Sequence, residues 1–231
     1  MVTTFMAKGN VDRMKKKVMI ITGGEKPIFS EIAGIVNEVD VIICADSGGD
    51  YAYEHHIMPH YLLGDFDSIS AEAKEFFLTR KQVQLLTVPM EKDFTDSQMA
   101  MELAKELQAE KVYVCGGWGS RLDHSITNIF LFASFLWEIP EILLLTKGCK
   151  GYYSTGHLEI LGERGQTVSL IPLKENITNV SLQGFYYPLL QGTLKWGSSM
   201  GNSNVLIAEK GAISHDPGLL FVVQYTDKDV L

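Results

Sequence analysis

From Val18 onward the chain alternates short β-branched runs with stretches of helical period. Val18-Met19-Ile20-Ile21-Thr22 stops at Gly23-Gly24, Val41-Ile42-Ile43-Cys44-Ala45 at Asp46-Ser47-Gly48-Gly49, and Tyr61-Leu62-Leu63 at Gly64-Asp65. A run from Val83 to Val88 ends near Pro89, and Val112-Tyr113-Val114-Cys115 ends at Gly116-Gly117. Between these runs the spacing of apolar positions predicts helices over about 28–37, 49–56, 70–80, 94–108 and 123–137. Strand, loop and helix in repeated alternation predict an α/β domain built on a doubly wound, mostly parallel sheet with helices on both faces. Its glycine-rich and acidic segments all follow strands. They therefore converge on the carboxyl edge, where an open parallel sheet binds ligands at the point of reversed strand order.

After a last buried run, Ile142 to Leu145, the helical period stops. Short alternating runs replace it at 151–154, 157–161, 167–172, 177–183, 204–209 and 219–225, which predicts a smaller all-β sandwich or barrel. The expected division is a flexible leader over residues 1–16, an α/β domain over 17–146, and a β domain over 147–231. A chain of 231 residues with 46% hydrophobic and 21% charged positions is long and apolar enough to bury such a core.

The net charge of −8 argues against a general nucleic-acid surface, so an anionic ligand needs a local arrangement of metal, amides or a few cations. Cys44, Cys115 and Cys149 are odd in number and widely spaced. They read as buried thiols of a reducing compartment, and a cytoplasmic location is expected. Lys15-Lys16-Lys17 precedes an apolar run too short for a signal segment or a membrane span.

The densest chemistry lies at Gly64-Asp65-Phe66-Asp67-Ser68. In an extended segment positions i and i+2 share a side, so Asp65 and Asp67 can face one point while Phe66 turns into packing. Two carboxylates so close suit a hard divalent ion such as Mg²⁺. A turn with self-capping aspartates fits the same residues, and the segment alone leaves the two readings level. Asp46, followed by Ser47 and two glycines that open a helix, reads either as a further ligand beside amides for phosphate or as a simple cap, with Gly49 among the residues offered to the nucleotide. In Lys92-Asp93-Phe94-Thr95-Asp96 the expected roles are Asp93 as a helix cap, Asp96 as a third rim carboxylate and Lys92 as a phosphate partner. Gly116-Gly117-Trp118-Gly119-Ser120-Arg121 forms a loop whose amides and guanidinium can hold phosphate, although its spacing is neither a Walker A nor a dinucleotide fingerprint. Asp123 is the expected cap of the next helix, which puts His124 and Asn128 on one face. In the β domain, residues 197–204 read as a turn or as a polar loop for a heterocycle, with Tyr187 and Trp196 as stacking surfaces or as core.

Taken in order, Ala45 to Gly49, Gly64 to Ser68, Lys92 to Asp96, Gly116 to His124 with Asn128-Ile129, and Gly201 to Asn204 resemble the motif set of the thiamine pyrophosphokinase family across about residues 18–210. The resemblance implies Mg²⁺-dependent transfer of a pyrophosphoryl group from ATP to the hydroxyl of thiamine, giving thiamine diphosphate and AMP. It also implies a homodimer with sites at the subunit interface. Asp65, Asp67 and Asp96 match the family's metal-binding acids, with Asp46 beside them. Asp67 and Asp96 become the candidates for proton handling. Gly116, Gly117, Arg121, Asp123, His124 and Asn128 fall in its nucleotide segment, while Ser203 and Asn204 match a pair that meets the thiamine pyrimidine. Ser47 and Trp118 depart from the common pattern. Two other readings stay open: a related pyrophosphokinase for another hydroxymethyl heterocycle such as a pterin, and a thiamine- or nucleotide-sensing module without turnover.

Overall fold

The computed structural model describes residues 15–87 and 94–226. Six strands, β1 (Lys16–Ile21), β2 (Val41–Ala45), β3 (Tyr61–Gly64), β4 (Gln84–Thr87), β5 (Ala109–Cys115) and β6 (Glu141–Thr146), pair in parallel in the order β6-β5-β1-β2-β3-β4. The chain moves outward from β1 to β4 and then returns to place β5 against β1. That reversal puts the switch point between β1 and β5.

Five helices cover the parallel strands: α1 (Phe29–Glu38), α2 (Gly48–Glu54), α3 (Ala71–Leu78), α4 (Asp96–Glu106) and α5 (Leu122–Ser134). Because strand side chains alternate, β1 sends Val18 and Ile20 into one core and Met19 and Ile21 into another. The first core includes Ala100, Met101 and Ala104 of α4 and Phe132 of α5; the second includes Ile32 of α1, Tyr51 and Ala52 of α2, and Ala73 and Phe77 of α3. A strand buried on both faces has no polar positions to spare. This explains the unbroken apolar runs in the sequence.

The helix starts have side-chain causes. Ser70 Oγ accepts from the Ala73 amide at 3.2 Å ahead of α3, and Thr95 Oγ1 accepts from Gln98 at 3.3 Å ahead of α4. At α1 the Glu31 carboxylate accepts from the Ile28 amide at 3.0 Å.

The second half is a sandwich, and one of its sheets is the continuation of the first. A tight hairpin after β6 leads into β7 (Cys149–Ser154), which pairs antiparallel with β6. β14 (Leu220–Tyr225), β9 (Thr167–Pro172) and β12 (Asn204–Val205) then extend the same sheet to ten strands. The facing sheet has the order β11-β10-β13-β8, from β8 (His157–Leu161), β10 (Ile177–Gln183), β11 (Leu189–Leu194) and β13 (Lys210–Ser214). Ile160, Val168, Leu170, Val180, Leu206, Ile213 and Val222 fill the space between them. Two strands were not evident in the sequence. β11 reads Leu-Leu-Gln-Gly-Thr-Leu with only its last residue buried, and β13 follows directly on the expected strand 204–209, of which just two residues remain, as β12.

All three cysteines are free and buried. Burial pushes the thiols of Cys115 and Cys149 up to about 12, which leaves them as unreactive packing groups. No helix among the described residues is long and apolar enough to cross a membrane.

Candidate active site

A cleft of about 470 Å³ opens over the switch point, walled by the segments that follow β1, β2, β3 and β5 and by the start of α4. Thr22, Gly23 and Gly24, then Asp46 and Ser47, then Asp65, then Phe94 to Ser97, and finally Gly116 to Arg121 with His124, Ser125 and Asn128 line it. Five separate stretches of sequence thus meet at one place.

Asp46, Asp65 and Asp67 each offer a carboxylate oxygen, and the three oxygens lie within 4.8 Å of one another. The turn and the acid cluster are the same object. Asp65 Oδ1 accepts from the Asp67 amide at 3.2 Å, Asp67 Oδ1 accepts from Ser68 Oγ at 2.7 Å, and Asp46 Oδ1 accepts from the Ser68 amide at 3.4 Å. The self-capping turn is therefore the device that gathers the carboxylates. Two non-glycine residues here have left-handed backbone, Asp46 at φ 47° and Phe66 at φ 63°. Such conformations cost on the order of 1–3 kcal/mol each and persist where the surrounding structure enforces them. Among the described residues no lysine or arginine forms an ion pair with these three acids. Hard oxygens on a partly solvated rim without a protein cation are the donor set that suits Mg²⁺.

Asp96 lines the same cleft but stands outside the three-carboxylate cluster. It opens α4 as the first helical residue behind Thr95, which takes the cap position expected of Asp93. Asp93 and Lys92 lie outside the described residues. Gly49 is not in the cleft wall: it sits within α2, where an added Cβ would meet Ile69 Cδ1 at 2.5 Å, so it serves helix packing.

On the opposite wall the glycine loop is pressed against the turn after β1. An added Cβ on Gly24 would stand 2.2 Å from the Gly116 carbonyl oxygen, and Gly116 itself takes φ 82°. Both positions require glycine, for contact at the first and for conformation at the second. Arg121, expected to fork toward phosphate, folds back on Asp123, with Nε to Oδ1 at 3.0 Å and Nη2 to Oδ2 at 2.6 Å. The guanidinium holds the Asp123 carboxyl well below the usual range. α5 opens at Leu122, so Asp123 is a first-turn acid and not the expected cap. His124 is exposed at the cleft wall, whereas Asn128 is buried and donates to the Gly117 carbonyl at 2.7 Å.

The residues singled out in the second half lie apart from this cleft. Asn204, 6% exposed, clamps the backbone of Tyr187: its Oδ1 accepts from the Tyr187 amide at 3.0 Å and its Nδ2 donates to the Tyr187 carbonyl at 2.8 Å. Ser203 is exposed, with φ 56°. Tyr187 and Trp196 are 61% and 63% exposed, so neither is core. Sequence reasoning did not single out Thr22 and Ser125 as site residues. A Thr at a strand end and a Ser inside a helix carry no pattern of their own, and only the Gly23-Gly24 pair after β1 marked the place.

Comparison with known proteins agrees with this geometry. Residues 32–144 match the thiamin pyrophosphokinase catalytic domain, and residues 157–220 match the thiamin pyrophosphokinase vitamin B1 binding domain. The thiamine pyrophosphokinase of Bacillus subtilis is 30% identical over 214 residues, covering 92% of this chain and 100% of its own length. The chain belongs to the thiamin pyrophosphokinase family. It is accordingly a transferase of the kinase class in thiamine biosynthesis. The crystal structure of the Bacillus subtilis family member superposes with a TM-score of 0.82 at 28% identity, over 92% of this chain and all of that one. The Geobacillus thermodenitrificans member gives 0.79 at 25% identity, over 93% and 100%. The α/β part followed by the antiparallel part is therefore the architecture of the family.

Proposed function

We propose that this family member transfers the pyrophosphoryl group of ATP to the hydroxyl of thiamine, yielding thiamine diphosphate and AMP. The observation that carries the reading is the cleft itself, in which Asp46 and Asp65, clustered with Asp67 just outside the lining, face a glycine loop across the switch point of the sheet. Asp46, Asp65 and Asp67 would hold Mg²⁺, which when bound neutralises triphosphate charge and orients the β-phosphorus for attack. The residues of the chain do the remainder by positioning. Amides of the 116–121 loop meet phosphate oxygens, the Arg121 fork joins them by exchanging Asp123 for phosphate, and His124 stands at the rim for the nucleotide. Asp67 or Asp96 accepts the proton of the thiamine hydroxyl as its oxygen bonds to the β-phosphorus. The bridging α–β bond then breaks, and AMP leaves with the bridging oxygen.

Ser203, Asn204, Tyr187 and Trp196 are the proposed thiamine-side residues. They do not line the cleft of their own chain, which supports a homodimer in which each copy completes the other's site. The decisive experiment is incubation with ATP, Mg²⁺ and thiamine, followed by separation of nucleotides. AMP appearing together with thiamine diphosphate is expected. ADP in its place, or no thiamine-dependent product, would defeat the proposal.

A further inference from the structure

The glycine loop is held by its carbonyls. Gly116 O accepts from Thr22 Oγ1 at 2.5 Å and from the Gly24 amide at 3.1 Å, and Gly117 O accepts from Asn128 Nδ2 at 2.7 Å. Trp118 O accepts from the Glu25 amide at 2.8 Å, and Gly119 O lies 3.1 Å from Ser125 Oγ, sharing its single proton with Arg121 O at 2.8 Å. Four successive carbonyls are thus tied to β1's turn or to α5. The amides divide differently. Gly116 N donates to Leu145 O at 3.2 Å and Gly119 N to Ser125 Oγ at 3.0 Å, whereas the N–H groups of Gly117, Trp118 and Ser120 have no acceptor among the described residues. All three residues line the cleft.

Peptide planarity connects the two lists. In a trans peptide the N–H of residue i+1 points opposite to the C=O of residue i. The Gly117 N–H is therefore aimed by whatever holds Gly116 O, the Trp118 N–H by whatever holds Gly117 O, and the Ser120 N–H by whatever holds Gly119 O. Those holders are Thr22, Asn128 and Ser125, three side chains that are each less than a tenth exposed. The one carbonyl of the four held only by backbone, Trp118 O, shares its peptide with the Gly119 N–H, which is spent inside the protein. Side-chain clasps and unspent amides coincide peptide by peptide.

We infer that Thr22, Ser125 and Asn128 are positioning residues that aim the amides of Gly117, Trp118 and Ser120 as the anion-binding set for the nucleotide's phosphate oxygens. This rests on the pyrophosphokinase reading of the cleft. The clasps act by fixing three peptide planes before an anion arrives, so that binding need not order the loop. Thr22 is the most informative of them because its methyl group can be retained while its hydroxyl is removed.

The test compares Thr22→Val with Thr22→Ser in steady-state kinetics and in calorimetric binding of inorganic triphosphate. Thr22→Val should raise the KM for ATP and weaken triphosphate binding by about tenfold, the loss of roughly one charge-assisted contact. The KM for thiamine should stay unchanged, and Thr22→Ser should restore both values. Ser125→Ala should repeat the pattern from α5, which keeps the test decisive even where Thr22→Val fails to fold. Wild-type affinities in the Val and Ala variants would overturn the inference, as would a serine variant no better than valine or an equal rise in both KM values. Each of these outcomes is read against a wild-type enzyme that still makes AMP and thiamine diphosphate. Loss of that product pattern in the wild type strikes the reading of the cleft instead, and triphosphate binding by the variants then decides the clasp on its own.

Discussion

The two ends of the molecule treat their polar residues in opposite ways. At the parallel end, turns after β2 and β3 use backbone amides to gather Asp46, Asp65 and Asp67 into one cluster with no cation of the protein among the described residues. At the antiparallel end, Asn204 spends both ends of its amide on the Tyr187 backbone, and the aromatic rings of Tyr187 and Trp196 stand in solvent. The nearby cavity, lined by Tyr187, Met200 and Asn204 among others, holds only about 80 Å³. One end is a concave site with charge left to satisfy. The other closes its hydrogen bonds and leaves the rings of Tyr187 and Trp196 exposed, the kind of apolar area that marks an interaction surface.

The largest expected effect separates the ends most sharply. Asp65→Asn should lower kcat by about 10²–10³-fold, the scale for removing one electrostatic stabiliser from a preorganised site. It should also raise the melting temperature of the metal-free protein slightly, because one of three mutually repelling charges is gone, and reduce the stabilisation that Mg²⁺ gives in a thermal melt. An Asp65→Asn enzyme with full turnover would remove the acid cluster from the chemistry. At the other end, Asn204→Ala should cost about 1–3 kcal/mol of stability, since it leaves the Tyr187 amide and carbonyl without partners in a half-buried place. Urea unfolding measures it, and a change within 0.5 kcal/mol would show that the clamp is dispensable.

A smaller effect is expected for Trp196→Ala. Stability should move by less than about 0.5 kcal/mol because the ring is exposed, while the KM for thiamine rises and that for ATP does not. Equal changes in both would dissolve the distinction between the two ends. The smallest is a titration. The Arg121 partner lowers the Asp123 pKa in the folded state, so the stability it contributes is present above the ordinary carboxylate range and lost as pH falls below it. Both side chains are exposed, which keeps the energy small. In an Arg121→Gln variant the Asp123 carboxyl, followed by NMR, should titrate closer to its ordinary value of 3.8.

Much of the parallel end was legible in the chain because burial on both faces leaves a plain mark. A strand such as Val41–Ala45 is apolar throughout, and its end at Asp46 and the glycines is abrupt. The antiparallel end writes a weaker signal. β11, with a glycine and a glutamine in six residues and only Leu194 buried, has no alternation to read. The two helix caps differ from expectation by two residues each, Thr95 in place of Asp93 and Arg121 in place of Asp123, because only the backbone path decides where a helix opens.

The order of motifs in the sequence determined the family resemblance, the α/β-then-β architecture and the carboxyl-rim location of Asp46, Asp65 and Asp67, since alternation and strand-end glycines depend on local chemistry. Tertiary structure decided what contact alone can decide. It set Asp96 on the cleft wall but outside the acid cluster, spent Arg121 on Asp123, and ran one sheet of ten strands through both halves. It also brought Thr22 to the Gly116 carbonyl, 94 positions away along the chain. No sequence pattern marks such a bond, because a hydroxyl finds its acceptor only after the strands between them have paired.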